Sequence, residues 1–528
     1  MVLNFHLALT TLLAVSVKAI SQPSGVNQFD LVPYFRHNDT SQLVPDSYII
    51  KFRDNYTLQY HLDSIGVNIS SLGHNYYHLD ILPGYHIKAN QSIIDNLIRR
   101  DRGVEWVEHS ARAYAPKLSR MSPINQRNLS SSPLSKRYKA ILDDRAPFPL
   151  VMQSSSEKLN QRSSGAAGFW YWDKAGENVD IYVLDTGMNI NHWEFGIPTR
   201  ATNFRDLDVS PYVEAGDDPR MVDSSEVSHG TCVASLIGGD SIGAARSANL
   251  INLKVIGANV TVDEVTDYPN IVKAFGEVRK THNRKKRACC GRPPFAGSLI
   301  NLSLGGVAYS ESLKTAIRKL KNAGILVVTS AGNSDTSTHR YVPCSYDDTI
   351  CVASVDNQYR KASYSNYGQH VTVSAPGDNV ICASKEGTFL SYVIASGTSL
   401  STAYVTGILA HFISYENIHS NAELVLRRMR DNWNFGFLEG FDAPQSRVTP
   451  NTFINNGFQN PNKSPTQPYF GAPSARHARR RGLGGESPTN ASLRLEGTST
   501  SKQSPRFLMV KGFSLLNLME NLVLQRPI

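Results

Sequence analysis

Past an N-terminal apolar run at residues 7–17, the chain has no stretch approaching the ~18 consecutive apolar side chains that a membrane span needs. A membrane-embedded product is therefore not expected. Cysteine is scarce as well, six in 528 residues. That is too few for a disulfide-framed miniprotein, but compatible with a few bridges made in an oxidising compartment. Charge of one sign is not concentrated. The formal net charge is +9, and much of the excess sits in clusters at residues 284–287 and 476–481, which read as loop and tail. A nucleic-acid protein would gather it on one face or motif, so no nucleic-acid partner is expected.

What is present is a globular composition, 41% hydrophobic and 19% charged, long enough for two folded units with linkers. Residues 1–19 read as a secretory signal. The apolar run is followed by Val17-Lys18-Ala19, which puts small residues at the positions that precede a cut. A secreted, extracellular product is expected. Asn-x-Ser/Thr sites at Asn38, Asn55, Asn68, Asn90, Asn128, Asn259 and Asn490 fit glycosylation on that route. The matching Asn301 lies in an apolar strand and is not expected to be modified. Cys344 and Cys351 are near enough to close a small loop, while the adjacent Cys289 and Cys290 are poor partners for each other.

Four regions follow from the patterning. Residues 47–114 mix strand-like runs with a helical spacing at Ile93, Ile94, Leu97 and Ile98, a small α+β unit. Residues 115–165 are rich in Ser, Arg, Pro and Asn and read as an exposed linker, within which the dibasic pair Lys136-Arg137 offers a cut site. Residues 179–457 alternate short apolar strands with helices, at 265–278 and 310–323 for example, which predicts a mostly parallel α/β sheet with helices on both faces. A basic, Cys-containing loop is expected at 279–294. Residues 458–528 read as a low-complexity basic tail.

The α/β region carries the parts that peptide hydrolysis by a serine requires: a nucleophile, a base, a group to orient that base, and donors for the oxyanion. Asp185 ends an apolar strand in Val-Leu-Asp-Thr-Gly, at the strand end where ligands bind in such sheets. His229 stands in Ser-His-Gly-Thr before an apolar helix. Ser399 stands in Ser-Gly-Thr-Ser before another, where a helix N-terminus favours negative charge. Asn333 follows a strand in Ser-Ala-Gly-Asn and can donate its amide. Taken one at a time, these residues read equally well as a turn Asp, a capping His, an N-cap Ser and a turn Asn. Their order along the chain, Asp then His then Ser, is the one found in subtilisin.

With the stretches Tyr182-Val-Leu-Asp-Thr-Gly187, His229-Gly-Thr231, Asn301-Leu-Ser-Leu-Gly-Gly306, Ser330-Ala-Gly-Asn333 and Gly397-Thr-Ser399, the chain resembles the subtilases, nearest in style to the proteinase K and cerevisin-like fungal branch. The resemblance spans most of residues 179–407. It implies a three-layer subtilisin-like α/β fold, preceded by an inhibitor-type propeptide domain at 47–114. The implied propeptide is 20–137 and the implied catalytic domain 138–457. Asp185, His229 and Ser399 are then the triad, Asn333 the oxyanion donor, and Ser303, Leu304, Gly305 and Gly332 the substrate-binding edge and S1 wall. The implied activity is broad-specificity endopeptidase action on protein and peptide substrates by a monomer, held inactive by its own propeptide.

Departures from the family pattern bear on this. Leu400-Ser-Thr-Ala403 replaces the usual Met-Ala-Thr-Pro, and Ala403 should let the helix run without a kink. Cys232, beside the His-Gly-Thr motif, is a candidate free, buried thiol next to His229. Thr372 stands where proteinase K-like enzymes present a calcium-binding aspartate, so no metal and no cofactor are expected. Two other readings compete: an inactive peptide binder, and a convertase cutting at basic residues. The latter would need acidic side chains around S1, and residues 303–306 and 331–333 supply none.

Overall fold

The computed structural model describes residues 31–125, 140–160, 168–204, 223–225, 227–257, 265–288, 295–386, 390–416, 418, 421–441 and 448–458. The expected signal peptide, Lys136-Arg137, Cys289-Cys290, Asn128, Asn259, Asn490 and all of the tail beyond residue 458 lie outside them.

The N-terminal unit is built from β1 (Tyr34–Phe35), β2 (Leu43–Phe52), α1 (Leu58–Ile65), β3 (His74–His78), β4 (Gly84–Lys88), α2 (Gln91–Asn96) and β5 (Val104–Tyr114). Its sheet order is β1-β5-β2-β4-β3. One face encloses a small core with Tyr48, Ile50, Tyr85, Ile87, Ile94 and Val107. Thr57 and Asn90 cap the two helices by accepting from Tyr60 N and Ser92 N.

The region read as an exposed linker contains regular structure: β6 (Ser119–Asn125), β7 (Ala140–Asp143) and α3 (Phe148–Ser154). Strand β6 gains its order from backbone pairing with a distant strand, which leaves no periodicity to read. Then come β8 (Phe169–Trp172), β9 (Val179–Asp185), β10 (Ala201–Asn203), α4 (His229–Gly238), β11 (Asn249–Lys254), β12 (Val265–Asp267) and α5 (Tyr268–Arg287). The helix expected at 265–278 thus starts later, after a short strand, and runs on through the basic cluster 284–287. Those cations occupy its last turn, where they meet the negative end of the helix dipole. The expectation of a loop from 279 is corrected to that extent.

The remaining elements are β13 (Gly297–Leu302), α6 (Glu311–Ala323), β14 (Leu326–Ser330), β15 (Thr349–Val355), β16 (Val373–Pro376), β17 (Val380–Ala383), β18 (Ser391–Ser396), α7 (Thr398–Tyr415), α8 (Ala422–Asn432), β19 (Asn434–Phe435) and β20 (Thr452–Phe453). The central sheet has the order β10-β11-β9-β13-β14-β15-β16-β20-β19 and is parallel except for the final pair. Both faces are covered, which is why its strands read as continuous apolar runs. Along β9, Ile181 and Val183 pack with residues of α4 and α7, while Tyr182 and Leu184 pack with α5 and α6. The outer face of the N-terminal sheet, with Ile49, Trp106 and Ala111, joins that second core. The expected three-layer α/β fold is present. Two disulfides, Cys232–Cys382 and Cys344–Cys351, lie within it. The expectation of a free Cys232 thiol is overturned, because β17 passes beside α4 and brings in a partner 150 residues away.

Candidate active site

Strand β9 delivers Asp185 at its C-terminal end, α4 begins with His229, and Ser399 lies in the first turn of α7. The chain between β18 and α7 is Gly397 alone, so a buried strand and a buried helix fix where Ser399 stands. His229 Nδ1 is 2.6 Å from Asp185 Oδ1, and its Nε2 is 3.0 Å from Ser399 Oγ. All three side chains are buried. Glycine at 230 is required by a close approach, since a Cβ there would meet the Gly187 carbonyl oxygen at 2.0 Å. The three residues picked from sequence therefore converge, with the imidazole between the carboxylate and the hydroxyl. A ring held this way can take the hydroxyl proton through Nε2 while Nδ1–H donates to the carboxylate.

Asn333 follows β14. Its Oδ1 accepts from Thr398 N at 2.9 Å and Thr398 Oγ at 2.7 Å, which aims Nδ2 outward. Nδ2 donates to the backbone carbonyl of Lys117 at 3.0 Å. Thr398 Oγ also accepts from Gly332 N at 3.2 Å. One threonine thus fixes both the amide and the glycine behind it. First-turn amides of α7 lack helical acceptors, which leaves donors beside Ser399.

Ser303 Oγ accepts from Asn301 Nδ2 at 2.9 Å and donates to the Ser399 carbonyl at 3.3 Å. Leu304 is buried in the second core. Gly305 pairs with Tyr114 through two backbone hydrogen bonds, N–H of Tyr114 to O of Gly305 at 2.7 Å and the reverse at 2.9 Å. On the other side of the same segment, β12 pairs antiparallel with the end of β5, Thr266 opposite Ala113. Leu118 is buried, with Cδ2 2.5 Å from where a Cβ on Gly397 would lie. Beyond it, β6 pairs antiparallel with β18, Ser119 opposite Ser396. Residues 112–125 therefore run as extended chain past Gly305, Asn333 and Gly397. Sequence reasoning missed this occupant, since backbone pairing asks little of side chains.

The altered start of α7 is accommodated. Leu400 and Ala403 are fully buried, and the helix runs unbroken over its 18 residues. A further residue that the sequence did not mark is Asp223, six before His229 in a loop. Burial raises its carboxyl above the usual range, against hydrogen bonds from Thr231 and Thr186 that pull it down. No grouping of three or more His, Cys, Asp or Glu suited to a metal occurs among the described residues.

The family model described as "Subtilase family" matches residues 176–432. Subtilisin-like protease 2 of Trichophyton rubrum is 30% identical over 324 residues, covering 61% of this chain and 69% of that protein. Subtilisin-like protease 2 of Arthroderma otae is 30% identical over 323 residues, covering 61% and 68%. Among solved structures, fervidolysin from Fervidobacterium pennivorans, a keratinolytic enzyme related to subtilisin, superposes with a TM-score of 0.53 at 18% identity. It covers 82% of this chain and 63% of that one. That likeness is one of fold.

Proposed function

This chain belongs to the subtilase family and is a subtilisin-like serine protease, and from that premise we propose a secreted endopeptidase of broad specificity, made as a zymogen and using Asp185, His229 and Ser399. The observation that carries the reading is the His229 ring set between Asp185 Oδ1 at 2.6 Å and Ser399 Oγ at 3.0 Å. Ser399 Oγ attacks the scissile carbonyl and gives its proton to His229 Nε2. The imidazolium, steadied by Asp185, returns that proton to the leaving amine, and water then releases the acyl group. Asn333 Nδ2 and the Ser399 backbone N–H hold the oxyanion.

Breadth of specificity is supported by how chain lies on the edge: Gly305 grips Tyr114 through main-chain bonds that read no side chain. No carboxylate stands in residues 303–306 or 331–333 to select a basic P1 residue. Secretion is supported by residues 1–19 and by two disulfides, which persist in oxidising compartments. No helix among the described residues is long and apolar enough to cross a membrane.

The zymogen reading is supported by the course of residues 112–125. The Lys117 carbonyl takes the Asn333 amide as a scissile carbonyl would, with Tyr114 on one side and β6 on the other. The first bond cut is then Lys117–Leu118, within the same molecule. The dibasic pair at 136–137 is the proposed end of maturation, so that 20–137 is the propeptide and 138–457 the mature catalytic unit, a monomer.

Incubating the secreted product with an unstructured protein, with Ser399→Ala as blank, tests the activity. Hydrolysis equal in both sinks it. N-terminal sequencing of products trapped early tests the order of cuts, with Leu118 expected first. A first product starting elsewhere removes the role given to the Lys117 carbonyl.

A further inference from the structure

Asp223 takes no part in the chemistry described above, yet it is buried beside it and fully engaged. Its Oδ1 accepts from Thr186 Oγ at 2.8 Å and Ser225 N at 3.0 Å. Its Oδ2 accepts from Thr231 N at 2.8 Å and Thr231 Oγ at 2.6 Å. Thr186 directly follows Asp185, and Thr231 stands two residues after His229. One carboxylate thus holds the end of β9 and the start of α4 together.

The helix needs such a partner. Its N-cap residue, Ser228, has a left-handed backbone with φ of 58° and makes no side-chain capping bond. Asp223 supplies the missing acceptor to a first-turn amide.

The Thr186 hydroxyl adds a second link. It has one proton and two candidate acceptors, Asp223 Oδ1 at 2.8 Å and Asp185 Oδ1 at 3.3 Å. The shorter claim belongs to Asp223. That leaves Asp185 Oδ1 to the His229 ring and to the Thr186 backbone N–H at 2.8 Å. It also leaves a Thr186 Oγ lone pair to accept from Gly230 N at 3.1 Å, one residue past His229. Asp185 Oδ2 has no hydrogen-bond partner among the described residues, so a released hydroxyl would have a carboxylate to turn towards.

We infer that Asp223 is a positioning residue for hydrolysis: it locks Asp185 against His229 and keeps the Thr186 proton away from the carboxylate that steadies the imidazolium. It acts through Thr186 and Thr231 and touches no substrate. The charged groups around the pair are Asp185 on β9, Lys254 in register with it on β11, Asp223, and Lys385, whose Nζ donates to the Asp223 backbone carbonyl at 2.9 Å.

The inference rests on Asp185, His229 and Ser399 being the triad. Failure of that reading shows separately, as undiminished hydrolysis by Ser399→Ala. The test is Asp223→Asn in the full chain, matured and titrated for active sites. Expected is a kcat lower on the order of a hundredfold, the size of a small misplacement of reacting groups, with KM unchanged. The acid limb of the kcat/KM profile should move to lower pH, because a nearby negative charge is gone and the Thr186 hydroxyl turns onto Asp185. Adding Thr186→Val removes that hydroxyl and should bring the limb part of the way back. A folded Asp223→Asn enzyme whose acid limb stays put, or moves up, overturns the inference whatever its kcat. Where Asp223→Asn does not fold, Thr231→Val cuts one arm of the clamp. Lower kcat with unchanged KM supports the inference, and wild-type values of both overturn it.

Discussion

The N-terminal unit and the subtilase unit are built to different standards of self-sufficiency. The helices of the first are 8 and 6 residues long, and its sheet buries one face on a small core and the other against α5 and α6. The helices α5 and α7 of the second have 20 and 18 residues, and its nine-stranded sheet is covered on both faces. Short helices are marginal without packing, and a unit of this size buries too little surface to stand firmly alone. The difference teaches that the first region, with a small core of its own, gains part of its burial from what it docks on. The proposed zymogen asks for this contrast: the first region would leave, and the second would keep its shape afterwards.

The largest expected effect separates the two regions by chemistry. Ser399→Ala should lower kcat on the order of 10⁶-fold, and the unprocessed chain should accumulate, as seen by mass spectrometry of the secreted product. Normal processing of that variant would mean that the cut joining the two regions is made by another enzyme.

Stability should separate the two bridges of the subtilase unit next. Replacing Cys232 and Cys382 by Ser opens a loop of 150 residues, a loss of about 5 kcal/mol on loop-entropy grounds. Opening the 7-residue span of Cys344–Cys351 should cost roughly 2–3 kcal/mol. Thermal unfolding of the matured enzyme checks the ranking. Equal shifts in Tm would show that the long bridge constrains little. Asn333→Ala should then lower kcat on the order of a hundred- to a thousandfold. The same change should loosen the hold on the N-terminal unit, since the amide proposed for the oxyanion also donates to the Lys117 carbonyl.

The same contrast governs what could be read from residues alone. Asp185, His229, Ser399 and Asn333 were legible because the chemistry forces particular side chains onto strand ends and helix starts. The sheet was legible because burial on both faces leaves unbroken apolar runs such as 179–184. Asp223 was not, because a lone aspartate in a loop has no periodic context and its role appears only when Thr186 and Thr231 come together. The Cys232–Cys382 bridge was hidden by its separation along the chain. The course of residues 114–125 was hidden because pairing with Gly305 and β18 uses backbone groups that every residue has.

The smallest effect tests the joint between the regions itself. Glu108 on β5 is buried against the N-terminus of α6. Its carboxylate accepts from Ser310 Oγ at 2.5 Å, Ser312 N at 2.7 Å and Ser312 Oγ at 2.9 Å. Burial pushes its pKa up from 4.5 to about 7, the serine and backbone bonds pull the other way, and Glu311 adds to the rise. Undocking returns the group to water and to its ordinary value, so docking takes up a proton between those two pH values. The contribution is complete below pH 4.5 and is lost as pH rises through about 7. Inhibition of the matured enzyme by the released N-terminal segment should therefore weaken on the order of a hundredfold across that window. Glu108→Gln, neutral throughout, should flatten the dependence. Inhibition that strengthens with rising pH, or a Gln variant that keeps the slope, would place the sensor of this interface on another group.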